Sequence, residues 1–191
     1  MTNETTITPT EEISAIKYAG FGVRFSAGLI DTLMLLPIMF LLMYLESLSK
    51  TMYYTMIIPN MALFLWFNIY LVKKYGGTPG KIIMKIKIVK TDASDITYKE
   101  AFLRSLIAII MGIGLTIVAI MAVSQMAAQQ FESVIWYKQN QYIVLVYPNL
   151  YRWLDSMLLV YIIVDYIIFL NNKRYRTIED YVANTVVVRN K

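Results

Sequence analysis

SLIAIIMGIGLTIVAIMAVSQMAAQQF, residues 105–131, is the stretch that decides the fold. Its 27 positions hold no ionisable side chain. Crossing a bilayer takes about 20 apolar helical residues, whereas an apolar run of about 10–14 suits a buried helix of a soluble protein. This run is long enough to span, and three others join it. Gly22–Leu45 is interrupted only by Arg24 near its start and Asp31 inside. Met52–Val72 has no charge, and Tyr151–Leu170 carries Arg152 and Asp155 at one end and Asp165 within. The four runs predict an all-α membrane protein, a four-transmembrane-helix bundle with helices at 22–45, 52–72, 101–124 and 151–170.

Composition agrees. The 191 residues are 58% hydrophobic, with mean hydropathy +0.52, where soluble domains sit near half. The length allows one compact unit and no separate catalytic domain. Cys and His are both absent. That removes disulfides, thiolate nucleophiles, the commonest general base and the commonest neutral metal ligand. No enzymatic constellation stands out, so the chain is expected to be no enzyme, with no cofactor and no metal. Residues 1–14 are polar and Thr-rich, an expected disordered tail before a membrane domain at 15–191. No signal-peptide pattern precedes the first apolar run, which is therefore expected to stay as a membrane helix.

The segment between the second and third runs opens with Gly76-Gly77-Thr78-Pro79-Gly80-Lys81, read as a turn. It is not a phosphate loop. The first glycine of G-x-x-x-x-G-K-[ST] would be Tyr75, and Ile82 follows Lys81. Within the stretch Ile82–Lys90, Ile86 and Ile88 alternate with Lys85 and Lys87 as in a half-exposed strand. Asn184–Arg189 reads as a second strand. Neither is stable alone, so they are expected to pair as a small two-stranded β element at the cytoplasmic face. Thr97 and Glu100 form a capping box that opens the third helix. The loop 124–150, with Trp136, Tyr137, Tyr142 and Tyr147, suits a short interfacial helix and aromatic anchors. Gly112 and Gly114 are read as helix-packing positions, and no internal repeat is evident.

With four spans, both termini and the central loop share one side. Fifteen of the 18 Lys and Arg fall on that side, and Lys50, Lys138 and Arg152 on the other. The positive-inside rule puts the fifteen in the cytoplasm. The chain is therefore expected as a multi-pass cell-membrane protein with both termini cytoplasmic. The net charge of +5 then points to the lipid bilayer and its anionic headgroups as partners rather than to nucleic acid. Each juxtamembrane cation is worth roughly 1 kcal/mol against anionic lipid.

Ionisable groups inside a membrane cost roughly 2.5–3.5 kcal/mol each on insertion scales, which makes them functional candidates. Asp31 and Asp165 are the deepest. Arg24 lies on the same helix face as Asp31, two turns or about 10 Å earlier. Asn68, Arg104 and Ser105 fall at a similar depth, so all four helices offer polar groups to the inner half. The outer half offers almost none beyond Arg152 and Asp155. Either Arg24, Asp31, Asn68, Arg104 and Asp165 satisfy one another and lock the bundle, or an aspartate binds a cation or proton in a cavity. An Asp in a dry site is pushed up in pKa and a neighbouring Arg pulls it down, the balance a proton or cation exchange site needs.

Four ordered motifs resemble the RDD family of small integral membrane proteins. They are Ala19-Gly20-Phe21-Gly22-Val23-Arg24 with Asp31; Gly76/Gly77-Thr78-Pro79-Gly80-Lys81; Arg104; and Arg174/Arg176-Thr177-Ile178-Glu179-Asp180 leading to Ala183-Asn184-Thr185-Val186-Val187. The resemblance runs from Ala19 to Val188. It implies that the family's second aspartate is Asp180 rather than Asp165. Glu179 stands where members often carry His, and Asn184 where they often carry Gly; Asn tolerates the left-handed conformation such a turn needs. The resemblance implies a membrane role of one of two kinds. One is monovalent cation/proton antiport, for which four helices are few, so that a homo-oligomer is expected. The other is a non-transporting scaffold that docks a membrane-protein partner or anionic lipid on its basic face.

Overall fold

The structure, a computed structural model, describes residues 17–128, 131 and 145–189. The expected tail at 1–14, and Trp136, Tyr137 and Tyr142 with the interfacial helix expected around them, lie outside the described residues. Among the described residues, four helices are long and apolar enough to cross a membrane: Phe21–Ser47, Lys50–Ile83, Tyr98–Gln125 and Asn149–Asn171. In chain order the elements are α1 (Phe21–Ser47); α2 (Lys50–Leu65), a π-turn (Trp66–Tyr70), α3 (Leu71–Tyr75) and α4 (Pro79–Ile83); β1 (Ile86–Lys90); α5 (Tyr98–Gln125); α6 (Pro148–Asn171); α7 (Ile178–Val182); and β2 (Thr185–Arg189). Large apolar side chains such as Ile58, Trp153 and Leu159 stay exposed along the long helices. So extensive an apolar surface fits lipid contact.

Local chemistry sets the boundaries. The Ser49 side chain accepts from the Met52 N–H at the start of α2. The Thr97–Glu100 capping box is present at the start of α5. The expected turn at Gly76–Lys81 is shorter in the structure, because Pro79 opens α4. Proline suits a first turn, where its missing N–H has no intrahelical partner to lose. Gly76 ends α3 at φ +76°, a left-handed stop that glycine adopts without strain. β1 starts at Ile86, where the alternation of Ile86 and Ile88 with the lysines falls, and Ile82 and Ile83 of the same stretch belong to α4.

β1 and β2 pair antiparallel, Ile88 opposite Val187 at the centre. Both edges are covered. Tyr18 bridges to Val188 on one side, and Asp95 to Val89 on the other. Such covering removes open edges that would recruit foreign strands. Ala19, Ala27, Val72, Ile86, Ile88, Ile96, Ala101 and Val187 form the main buried cluster. The tightest packing therefore lies not at the middle of the bundle but at the end that carries the ribbon.

The element order repeats. Each half of the chain runs through two long helices, a threonine, a five-residue helix, a residue at φ +53° and a five-residue strand. Thr78 corresponds to Thr177, Pro79–Ile83 to Ile178–Val182, Lys85 to Asn184, and Ile86–Lys90 to Thr185–Arg189. The ribbon register is symmetric about Ile88 and Val187, as two related strands would pair. Sequence alone hides this repeat because the paired positions differ chemically; Lys81, for one, corresponds to Asp180.

Gly80 sits where α4 meets α1. A Cβ there would lie 2.1 Å from the Ala27 carbonyl oxygen and 2.9 Å from the Asp31 carboxyl carbon. Overpacking of this kind costs about 1–3 kcal/mol or more. Gly80→Ala should lower the thermal unfolding midpoint in detergent clearly, while Gly112→Ala, with nothing within 4 Å of the added Cβ, should not.

Candidate functional site

The site is built around Asp180, whose side chain is fully buried. Thr177 and Asp180 close a capping box across the first turn of α7, which fixes the carboxylate. Arg24 Nη1, from the first turn of α1, donates to Asp180 Oδ2 at 2.9 Å. Arg104 Nη1, from the second turn of α5, donates to Oδ1 and also to Thr185 Oγ1 at 2.6 Å. The Thr185 hydroxyl donates to the same Oδ1 at 3.2 Å. Arg176 ties the backbone around them, through Nη2 to the Asp180 carbonyl at 2.9 Å and Nε to the Thr185 carbonyl at 3.1 Å. Burial alone would push the Asp180 carboxyl up, but the Arg104 and Arg24 guanidiniums outweigh it and hold it well below the ordinary carboxylate range. Arg24 also donates from Nε to the Ala19 carbonyl at 3.1 Å and lies over the Phe169 ring. Its Nη2 is the one buried side-chain polar atom without a partner among the described residues.

Asp31 and Asp165 do related work. Asp31 accepts from Thr78 Oγ1 at 2.5 Å and from the Gly80 N–H at 2.7 Å, so a carboxylate of α1 caps α4. Asp165 accepts from the Ile178 N–H at 2.6 Å, so a carboxylate of α6 caps α7. Each five-residue helix is thus held by an aspartate of a long helix, and the open glycine approach at Gly80 lets Asp31 reach its donor. Arg24 and Asp31, two turns apart on one face and at that spacing too far for direct contact, do not meet; Arg24 turns to Asp180.

Beside this cluster lies a cavity of about 80 Å³, lined by Asn68, Lys81, Arg104, Ser105 and Glu179 together with Phe64. A site of that size, with several polar groups, has room for ordered water. Asn68 belongs to the π-turn, a helix defect frequent at functional sites. Its amide N–H donates to the Phe64 carbonyl at 3.1 Å, which leaves its side-chain oxygen uncommitted as an acceptor among the described residues. Lys81 makes no hydrogen bond or ion pair among the described residues. Glu179 accepts from the Tyr161 hydroxyl at 3.3 Å. Burial pushes its carboxyl above the ordinary glutamate range; Arg104 and Lys81 pull it back, while Asp165 and Asp180 push it further up.

The structure therefore brings Arg24, Arg104, Asp180 and Thr185 into one contact set. It places Asn68, Lys81 and Ser105 on the adjoining cavity, and Gly77, Thr78 and Gly80 in the turn that meets Asp31. Residue-level reading passed over Glu179 as a site residue, although its place next to the motif aspartate is a usable signal. It also passed over Arg176. The expectation that the opposite half lacks polar groups is corrected. Asn60 of α2 donates to Glu46 of α1, a pair hidden because Glu46 stands one residue past the first apolar run and Asn60 sits in a charge-free one. Gly112 is likewise no close-packing position, since a Cβ added there would meet no neighbouring element within 4 Å, and one added at Gly114 would make only ordinary contact with Leu154.

Residues 18–184 match the family model described as RDD family, and the chain belongs to that family. No curated protein and no solved structure matches it.

A carboxylate held below its unfolded pKa stabilises the fold above the unfolded value, about 3.9 for Asp, and that contribution is lost as pH falls toward the folded value. The unfolding midpoint of the protein in detergent should accordingly hold from neutral pH to about pH 5 and fall on further acidification. Asp180→Asn, which leaves two buried guanidiniums uncompensated, should cost about 3–5 kcal/mol at neutral pH. It should also flatten the acid limb of the midpoint curve.

Proposed function

We propose that this RDD-family membrane protein exchanges a monovalent cation for a proton at the ribbon end of the bundle, with Glu179 as the titrating group. The observation that carries the reading is the small polar cavity in which Glu179, Lys81, Arg104, Asn68 and Ser105 converge beside the π-turn. Asp31, the sequence's first candidate, has both oxygens engaged in capping and supports the frame instead. A proton on Glu179 leaves the Lys81 ammonium as the cavity's mobile cation. Loss of that proton creates a carboxylate that a dehydrated cation can reach, with the Asn68 and Ser105 oxygens as neutral ligands. Besides Lys81 and Arg104, the charged and titratable groups around it are Asp165, Asp180 and the Tyr161 hydroxyl. Four helices make a short path, so the working unit is a homo-oligomer.

The ribbon end faces the cytoplasm in this reading, with both termini inside and the protein in the cell membrane of a bacterial-type inner membrane. The support is the lysine and arginine asymmetry. Lys73, Lys74, Lys85, Lys99, Lys173 and Arg174 are exposed at that end and suit anionic headgroups. The same exposed rim supports a second reading, a scaffold that docks a membrane-protein partner there without transport.

In proteoliposomes the full chain should give Na⁺- or K⁺-dependent proton flux, reported by a trapped pH dye. The flux should vanish in Glu179→Gln, persist in folded Asp31→Asn, and depend on pH with a midpoint above the ordinary glutamate value of about 4.3. No flux from the wild type at any pH, or wild-type flux from Glu179→Gln, contradicts the reading. Co-purification of a stoichiometric partner with no flux favours the scaffold.

A further inference from the structure

The seam between α2 and α5 joins the first half of the chain to the second. It holds a second cavity, of about 440 Å³, lined by Glu46, Tyr53, Asn60, Thr116 and Tyr151 among apolar side chains. Phe64 and Ala108 close its inner end, and the same two residues wall the 80 Å³ cavity that holds Glu179. The two spaces therefore abut on one aromatic ring and one small side chain.

Three features separate this seam from ordinary helix packing. Ala108, Gly112 and Thr116 fall four residues apart on one face of α5, a pattern that normally lets helices close up. Here the face looks onto the void, and Gly112 has nothing within 4 Å of an added Cβ. On α2, Asn60 and Phe64 face it one turn apart; the π-turn begins just beyond Phe64 and carries Asn68 onto the smaller cavity. Finally, Glu46 stands in the last turn of α1, one residue past its apolar run, and lines this cavity. It meets Asn60 rather than a cation.

We infer that this seam is a two-chambered path for a monovalent cation or proton, with Glu46 as its far station, Glu179 as its near station and Phe64 as the partition. Sites of this kind in transporters built from repeats sit at the repeat interface, which is where this seam lies. The inference rests on the exchange reading for its cargo, and on the cavities alone for the path.

The chain has no cysteine, so single-cysteine variants report access without background. The probe is Ag⁺, a thiol-reactive monovalent cation, added to one side of proteoliposomes holding the full chain. Protection of the thiol is then read by maleimide labelling after denaturation. Thr116→Cys should react from the far side only and Ser105→Cys from the ribbon side only. Adding Phe64→Ala should let Ag⁺ reach both from either side. Glu46→Gln should lose the cation-dependent flux while keeping the wild-type unfolding midpoint. Thr116→Cys unreactive from both sides, as it would be under a seated acyl chain, overturns the path, as does sidedness unchanged by Phe64→Ala. Wild-type flux in Glu46→Gln removes Glu46 as a station. Correct sidedness without flux in the wild type sinks the exchange reading and leaves the path standing.

Discussion

A carboxylate buried away from water must be paired, and the pairing of Asp180 with Arg24 and Arg104 organises this protein. The three residues come from the start of α1, the start of α5 and the last short helix. No apolar contact could be as selective about which segments meet. Such a cluster adds little net stability over well-packed apolar residues, because desolvation offsets most of the attraction. Its effect is on specificity. Unpaired, any one of these charges is costly, so the bundle closes only when the C-terminal segment has returned to the two helix starts. Thr185 and Arg176 extend the same requirement to β2, and the ribbon then seals the end.

Around that centre the chain uses one frame twice. Each half ends in a threonine-led short helix, a left-handed residue and a strand, and each short helix is held by an aspartate of a long helix. The halves have diverged in charge. Where the second half presents Asp180 to two arginines, the first presents Lys81 to a cavity. The duplicated frame thus creates two similar places, one saturated with hydrogen bonds and one left open. In the proposed exchange, the saturated place holds the geometry and the open one changes state.

The spans were legible in the sequence because their signal is length: the uncharged run that opens at Ser105 is longer than a buried helix of a soluble protein needs, and α5 carries it to Gln125. The Thr97–Glu100 cap and the ribbon were legible for local reasons, three-residue spacing in one and alternation in the other. Asn184 was readable as a left-handed position, and it adopts φ +53°. The partners of the charges were not legible. Arg24 and Asp31 share a helix face two turns apart, yet Arg24 pairs with a residue 156 positions away and Asp31 with Thr78 and Gly80. Helix periodicity gives direction but not which helix stands opposite. Glu46 and Asn60 were missed for a related reason, since a hydropathy boundary separates residues that a helical hairpin brings back together. Gly80 was visible as a motif glycine, but its cause, the Ala27 carbonyl behind it, belongs to another element.

The central claim is that the Arg24–Asp180–Arg104 set acts as one unit whose parts are costly alone. It is tested most directly by comparing the unfolding free energy of Asp180→Leu with that of the triple variant Arg24→Met, Arg104→Met and Asp180→Leu in the same detergent. The account predicts that the triple variant recovers most of the stability lost in the single one, since removing all three charges leaves none unpaired. A triple variant that loses the sum of the three single losses would contradict it.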